Sequence, residues 1–173
     1  MERQFGQTRA GKYMPHSTIG FFRSGMTVET IVAAIDPVLS GRSSFEVQNH
    51  GSMALGRSVV LDIHHADDGS PNPALLALHD DAFAALSPLM PRMGDRFDWT
   101  GGGFHAHLTM AQTITPLWLF DEVFAFLQEA EPIGPRRFLA EYVHLYAVRS
   151  DAWLDDNWSD SLTWELLHSW QLG

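Results

Sequence analysis

The 173-residue chain contains no cysteine, which removes disulfides and thiolate metal sites from consideration. It also lacks any run near the ~20 apolar residues that span a bilayer. Residues 1–12 have no apolar core of the kind a signal peptide needs. Positive charge is scarce: 11 Lys and Arg stand against 21 Asp and Glu, a formal net charge of −10. Such a chain repels polyanions at long range, which counts against tight, sequence-independent binding of long nucleic acid. A small nucleotide, or an RNA end held in a local site, stays compatible. No linker or low-complexity tract divides the chain, and Gly101-Gly102-Gly103 leads into a strand rather than between domains. These absences predict one cytoplasmic domain over residues 1–173, with 1–12 as a polar, flexible or exchanging arm and with no membrane contact.

Apolar residues make up 45% of the chain, enough to build a sizeable core at this length. Met14 to Phe22 reads as a strand. Thr27 is placed to cap a helix carrying Val28, Ile31, Val32 and Ile35 at helical spacing, with Pro37 kinking or ending it. Phe45 to Gln48 and Ser58 to His64 read as strands. Asn72-Pro73 starts a second helix with the apolar stripe Leu75, Leu76, Leu78, Ala82, Phe83 and Leu86. Phe104 to Gln112 is a strand. Thr115-Pro116 opens a third helix with Asp121 and Glu122 at its positive end. Phe138 to Val148 and Leu162 to Leu172 read as long strands. Several neighbouring strands are joined by loops too short for a crossover helix, which predicts an α+β domain with mainly antiparallel sheet.

The chemistry concentrates in two short segments. In a strand, side chains alternate faces with a period of two. In Phe104-His105-Ala106-His107-Leu108-Thr109-Met110 the apolar set faces one way and His105, His107 and Thr109 the other. In Pro15-His16-Ser17-Thr18-Ile19-Gly20-Phe21, His16, Thr18 and Gly20 share a face. Two imidazole–hydroxyl pairs suit in-line attack at phosphorus. One neutral histidine takes a proton while the other, protonated, gives one to the leaving oxygen. The threonine hydroxyls donate to the non-bridging oxygens, where charge develops. No metal or other cofactor is required by this scheme.

The stretches PHSTIGFF and FHAHLTMAQ, with their histidines 91 residues apart, resemble the two-histidine (2H) phosphoesterase superfamily in its 2′-5′ RNA ligase-like, cyclic phosphodiesterase branch. SVVLDI with PALLALHDDAFAAL resembles that family's central strand and helix. HLYAVRSDAWLD and WELLHSWQL resemble its closing strand pair. The resemblance runs over residues 13 to 172. It implies a two-lobed, pseudo-symmetric fold with sheets lining a central cleft and helices outside. It assigns His16 and His107 as acid and base, and Thr18 and Thr109 as phosphate holders. It also implies hydrolysis of 2′,3′-cyclic phosphates, cleavage of 2′-5′ linkages or the reverse ligation, in RNA processing. Members carry a strand and a helix before the first motif. Here 15 residues precede His16, so that strand would be absent, replaced by the arm, or supplied by a second chain in a swapped homodimer. The position three after Thr109, basic in many members, is Gln112.

Other residues bear on binding. His105 shares the face of His107. Phe22, Trp164 and Tyr146 are candidates to stack on a base, and Arg149 is the strand cation best placed for a phosphate, against the plainer role of an ion pair with Asp151 or Asp155. His64-His65-Ala66-Asp67-Asp68-Gly69 reads as a polar turn, His50 as a turn residue, and His79 as lying on the wet face of its helix. His144 and His168 lie on late strands, where a structural role is favoured over lining the cleft. Two other readings stand beside the phosphoesterase. One is a nucleotide- or RNA-end-binding module with a degenerate site. The other is a zinc hydrolase built on His105 and His107 with His64, His65, Asp67 and Asp68.

Overall fold

The computed structural model describes residues 2–6, 9–21, 26–89, 103–114, 116–130, 132–153, 155 and 158–173. In chain order the elements are α1 (Glu2–Phe5), α2 (Val28–Leu39), β1 (Phe45–Gln48), β2 (Ser52–Leu55), β3 (Ser58–Asp62), α3 (Pro73–Leu86), β4 (His107–Ala111), α4 (Phe120–Glu129), β5 (Arg137–Ala140), β6 (Tyr142–Arg149) and β7 (Thr163–Gln171).

Local chemistry explains the helix starts. Thr27 Oγ1 accepts the Thr30 N–H at 3.3 Å, and Ile31, Ile35 and Leu39 follow at four-residue spacing as the buried stripe of α2. Pro37 lies in the last turn, and the helix closes two residues later. Asn72 begins α3 with its side-chain oxygen accepting from the Ala74 and Leu75 N–H groups, and Pro73 occupies the first turn. Its amide also donates to the Glu46 carbonyl at 3.1 Å, tying the helix start to β1. Thr115 lies outside the described residues. After it, a single 3-10 turn, Leu117–Leu119, leads into α4, whose first turn carries Asp121 and Glu122.

Among the described residues every strand pairing is antiparallel: β1 with β5, β2 with β3, β3 with β4, and β6 with β7. The β2–β3 hairpin turns at Gly56, whose φ of +58° is a left-handed conformation that glycine adopts without strain. Three apolar clusters fill the space between sheets and helices. One joins α2 and α3 to Val143, Leu145 and Trp170 of the β6–β7 hairpin. A second packs α4 on Val59 and Ala111. The third, Val47, Ile63, Leu75 and Ala106, ties β1, β3, α3 and the approach to β4 into one core. Phe5 of α1 packs edge-on against Phe126 at 5.4 Å, so the first residues rest on α4.

Three expectations need correction, and one strand, Ser52–Leu55, was not anticipated. Residues 14–21 form no strand: Pro15 has no N–H for a ladder, and the segment is held by side-chain contacts instead. Phe22 lies outside the described residues. Phe138 to Val148 is not one strand. It breaks at Glu141, because β5 pairs with β1 while β6 pairs with β7, and the Glu141 carbonyl accepts the Leu172 N–H at 2.8 Å. Ser52–Leu55, too short to show a period, pairs with β3 along its whole length. His79 is not on a wet face. It is 3% exposed and stacks on Phe104 with ring centres 4.0 Å apart. It falls on the same stripe as Leu75, Leu78, Ala82 and Leu86.

Asn72 satisfies two orphan helix donors and uses its own amide on β1. Asn72→Ala is expected to cost about 1–3 kcal/mol of folding free energy, read as a lower urea midpoint at unchanged slope. A change within about 0.5 kcal/mol would show that the cap is replaceable.

Candidate active site

His107 and Thr109 lie on β4, which pairs with β3. His107 stands opposite Asp62, Leu108 opposite Leu61, and Thr109 opposite Val60. Val59 then pairs with Ala111, which makes Met110 an extra residue in the ladder, a β-bulge directly after Thr109. Below the bulge, Leu108 packs on the third cluster, where Ala106 is buried. Above it, Ala111 is buried in the second cluster. The bulge therefore lets one strand serve two cores while His107 and Thr109 stay half buried.

The two motif histidines are held in the same way. His16 Nδ1 lies 2.7 Å from the Met14 carbonyl oxygen, and His107 Nδ1 lies 2.6 Å from the His105 carbonyl oxygen. A carbonyl only accepts, so each Nδ1 carries the proton and donates it two residues back along the chain. Each Nε2 is then the ring nitrogen left for proton exchange.

Aromatic rings hold the first motif. Trp164 meets His16 edge-on at 5.4 Å and Tyr13 at 4.9 Å, and Tyr146 meets Trp164 at 5.7 Å. Residues 10–12 pack on β4. Tyr13, three residues before His16, shares a hydrogen bond with the side chain of Gln112, three residues after Thr109. Burial pushes the Tyr13 phenol up to about 12, against the weaker lowering effects of the Gln112 contact and of Arg9. The ring is therefore a neutral link between the two motif segments at physiological pH. Lys12 adds an ion pair to Asp160 at 2.8 Å.

Beside His107 stands a group that the sequence reading left as a turn. Asp62 Oδ2 accepts from His65 Nδ1 at 2.7 Å, and Asp62 Oδ1 accepts the His64 N–H at 2.9 Å. His105 Nε2 is 3.2 Å from the same oxygen but off the line of a hydrogen bond. The His64 and His105 rings stack at 4.5 Å. His64 is 8% exposed, and its Nδ1 accepts the Ala106 N–H at 3.3 Å. The turn reading holds for 66–70, where Gly69 N–H reaches Ala66 O and Asp68 accepts from Ser70. His64 itself points inward, and the signal that finds it is its position two residues past Asp62 and one past the fully buried Ile63.

The remaining candidates are spread out. Arg149 pairs with Glu165 at 2.7 Å rather than with Asp151 or Asp155, at an exposed position. Trp164 lies beside His16, with its Nε1 buried and without a hydrogen-bond partner among the described residues. The zinc set is not gathered: Asp67 pairs with Arg137, Asp68 bonds Ser70, and among the described residues no three His, Asp or Glu side chains converge as metal ligands. A cavity of about 240 Å³ lies between Asn49, His50, Asp67, Ile133 and Arg136, and neither motif contributes to its wall. Among the described residues no helix is long and apolar enough to cross a membrane.

Burial, the largest cause in both cases, pulls His64 and His105 below the ordinary 6.5, with neighbouring histidines adding to the effect and Asp62 opposing it. The folded chain therefore binds fewer protons than the unfolded chain just below pH 6.5. Stability carried by these groups is complete above that value and is lost as pH falls from 6.5 through their folded pKa values. Asp62, held below the usual carboxylate value by the His64 N–H and His65 against the pull of burial, stays charged throughout this window. The melting temperature is expected to fall between about pH 7.5 and 5, and less steeply in His105→Gln. A flat profile in the unsubstituted chain would refute the account.

A family model, the 2′-5′ RNA ligase superfamily, matches residues 1–152. Among solved structures, apo E. coli LigT aligns with 99% of this chain and 90% of its own, at 16% identity and a TM-score of 0.54. E. coli LigT complexed with 3′-AMP aligns over the same shares at 17% identity and 0.52. A crystal structure described as a phosphoesterase aligns with 91% of this chain and 76% of its own, at 17% identity and 0.53. No curated protein matches significantly in sequence. At these identities the structures establish the shared α+β fold, and the family model, which covers most of the chain and both histidine motifs, shows that the chain belongs to the 2′-5′ RNA ligase superfamily.

Proposed function

We propose that the chain is a metal-independent phosphoesterase that opens 2′,3′-cyclic phosphates on a small nucleotide or an RNA terminus, with His16 and His107 as the acid–base pair. Family membership supports phosphoesterase chemistry in general. The observation that carries the finer reading is the matched pair of Nδ1–H···O=C bonds at His16 and His107. An imidazole whose Nδ1 is committed to a carbonyl offers Nε2 to a substrate, the arrangement a general acid or base needs.

In hydrolysis, one neutral Nε2 takes a proton from the attacking water. The other, protonated, gives its proton to the ribose oxygen as the P–O bond breaks. Thr18 and Thr109 donate to the non-bridging oxygens as charge builds there. With a 5′-hydroxyl in place of water, attack at phosphorus with departure of the 3′ oxygen forms a 2′-5′ linkage by the same pair, and the reverse step, with the 3′-hydroxyl attacking and the 5′-hydroxyl leaving, cleaves one to the cyclic phosphate. The small-nucleotide class is supported by the E. coli LigT complexes with 3′-AMP, ATP and NADP+. It also suits a chain of net charge −10, which disfavours a long polyanion but tolerates a short one in a local pocket. Trp164, with its ring beside His16, is the aromatic best placed to contact a base. His105, Phe22 and Arg149 complete the binding candidates.

The test is hydrolysis of the four 2′,3′-cyclic nucleotides in excess EDTA. His16→Ala and His107→Ala are each expected to lower kcat by about 10²–10⁴-fold while circular dichroism stays unchanged. Near wild-type turnover by either variant would rule out the two-histidine mechanism. Binding of cyclic nucleotide without turnover by the unsubstituted chain would replace the enzyme with a binding module.

A further inference from the structure

We propose that His64, braced by Asp62, is a positioning residue that sets the tautomer and aim of His107. The inference rests on His107 acting as a proton-transfer group. Its geometric basis is the single peptide unit joining His105 to Ala106. The N–H of that unit donates to His64 Nδ1 at 3.3 Å, and its C=O accepts from His107 Nδ1 at 2.6 Å. A peptide is planar, and its N–H and C=O point in opposite directions. Holding the N–H on His64 therefore fixes the direction of the carbonyl that His107 must meet.

The acceptor role constrains His64 as well. Nδ1 accepts only when it carries no proton, so His64 is neutral with its proton on Nε2. Burial favours that state, and the groups facing the ring are His105 stacked at 4.5 Å, His65 at 5.0 Å and Phe104 at 6.1 Å, with the Asp62 carboxylate on the backbone beneath. Asp62 fixes the other side of the arrangement: it binds the His64 N–H and the His65 ring, and it stands opposite His107 in the β3–β4 ladder. Ala106 is fully buried, so water cannot replace the imidazole as acceptor. Without it the N–H is orphaned and the peptide is free to rotate.

The experiment compares His64→Leu, His64→Asn and His64→Gln with the unsubstituted chain. An asparagine oxygen stands where Nδ1 stands and keeps the acceptor. A glutamine oxygen stands at the Nε2 position and does not. The primary readout is the tautomer of His107 from the nitrogen–proton spectrum of histidine-labelled protein, which needs no turnover. The secondary readout is kcat and KM on a 2′,3′-cyclic nucleotide. His64→Leu and His64→Gln are expected to shift His107 from the Nδ1–H form to a mixture and to lower kcat by about 10–100-fold with KM little changed. His64→Asn is expected to restore both. A folded His64→Leu that keeps the His107 tautomer and kcat overturns the proposal. So does identical behaviour of the Asn and Gln variants, which decides the matter if the Leu variant does not fold. If the unsubstituted chain fails to turn over cyclic nucleotides, the proposed activity falls while the tautomer comparison still tests the positioning.

Discussion

The pairing of β3 with β4 is the constraint on which the site depends. Val59 and Val60, neighbours on opposite faces of β3, are wholly buried and Leu61 nearly so, so a one-residue slip of this strand would carry Ser58 or Asp62 into a buried apolar position. The register is therefore strongly specified by burial, and it sets Asp62 opposite His107. From that one pairing follow the approach of His105 to Asp62, the stacking of His105 on His64, and the placement of the His105–Ala106 peptide. The bulge at Met110 releases the strand from strict alternation just past Thr109. β4 can then pack Leu108 against one cluster and bury Ala111 in another. The motif occupies the last regular stretch before the ladder changes phase.

The first motif reaches a comparable state by different means. His16 has no ladder beneath it; Trp164, Tyr13 and the Met14 carbonyl hold the ring. Ring packing and one hydrogen bond thus do for His16 what a buried strand and a peptide plane do for His107. The two histidines share a tautomer but not a scaffold. Gln112, uncharged, has its side chain on the half-buried Tyr13 phenol.

Much of the fold was legible in the residues. Thr27 and Asn72 marked their helices because a short polar side chain followed by an apolar stripe has one physical use there. Phe45–Gln48 and Ser58–Asp62 were readable because their β-branched and aromatic residues fit a half-buried pleat. The misreadings share a cause. Met14 to Phe22 has strand-like alternation, yet alternation does not provide a partner, and Pro15 cannot donate to one. Phe138 to Val148 is uninterrupted in pattern, and the break at Glu141 comes from two different sheets claiming its two halves. His79 looked wet because Asp80 and Asp81 flank it, but its angular position on α3, not its neighbours in sequence, decides its burial.

The sequence by itself determined the chemistry on offer: two imidazoles each two residues from a threonine, no thiols, and an acidic field that favours a short anion over a long one. Those follow from residue identity and spacing, which no folding step alters. Only the tertiary structure decided which nitrogen of each imidazole is free, because a tautomer is chosen by the acceptor that meets the ring. It alone also decided that His64, in a run that reads as a polar turn, faces inward. That outcome depends on Ala106 arriving from 42 residues away, a contact that local pattern does not encode.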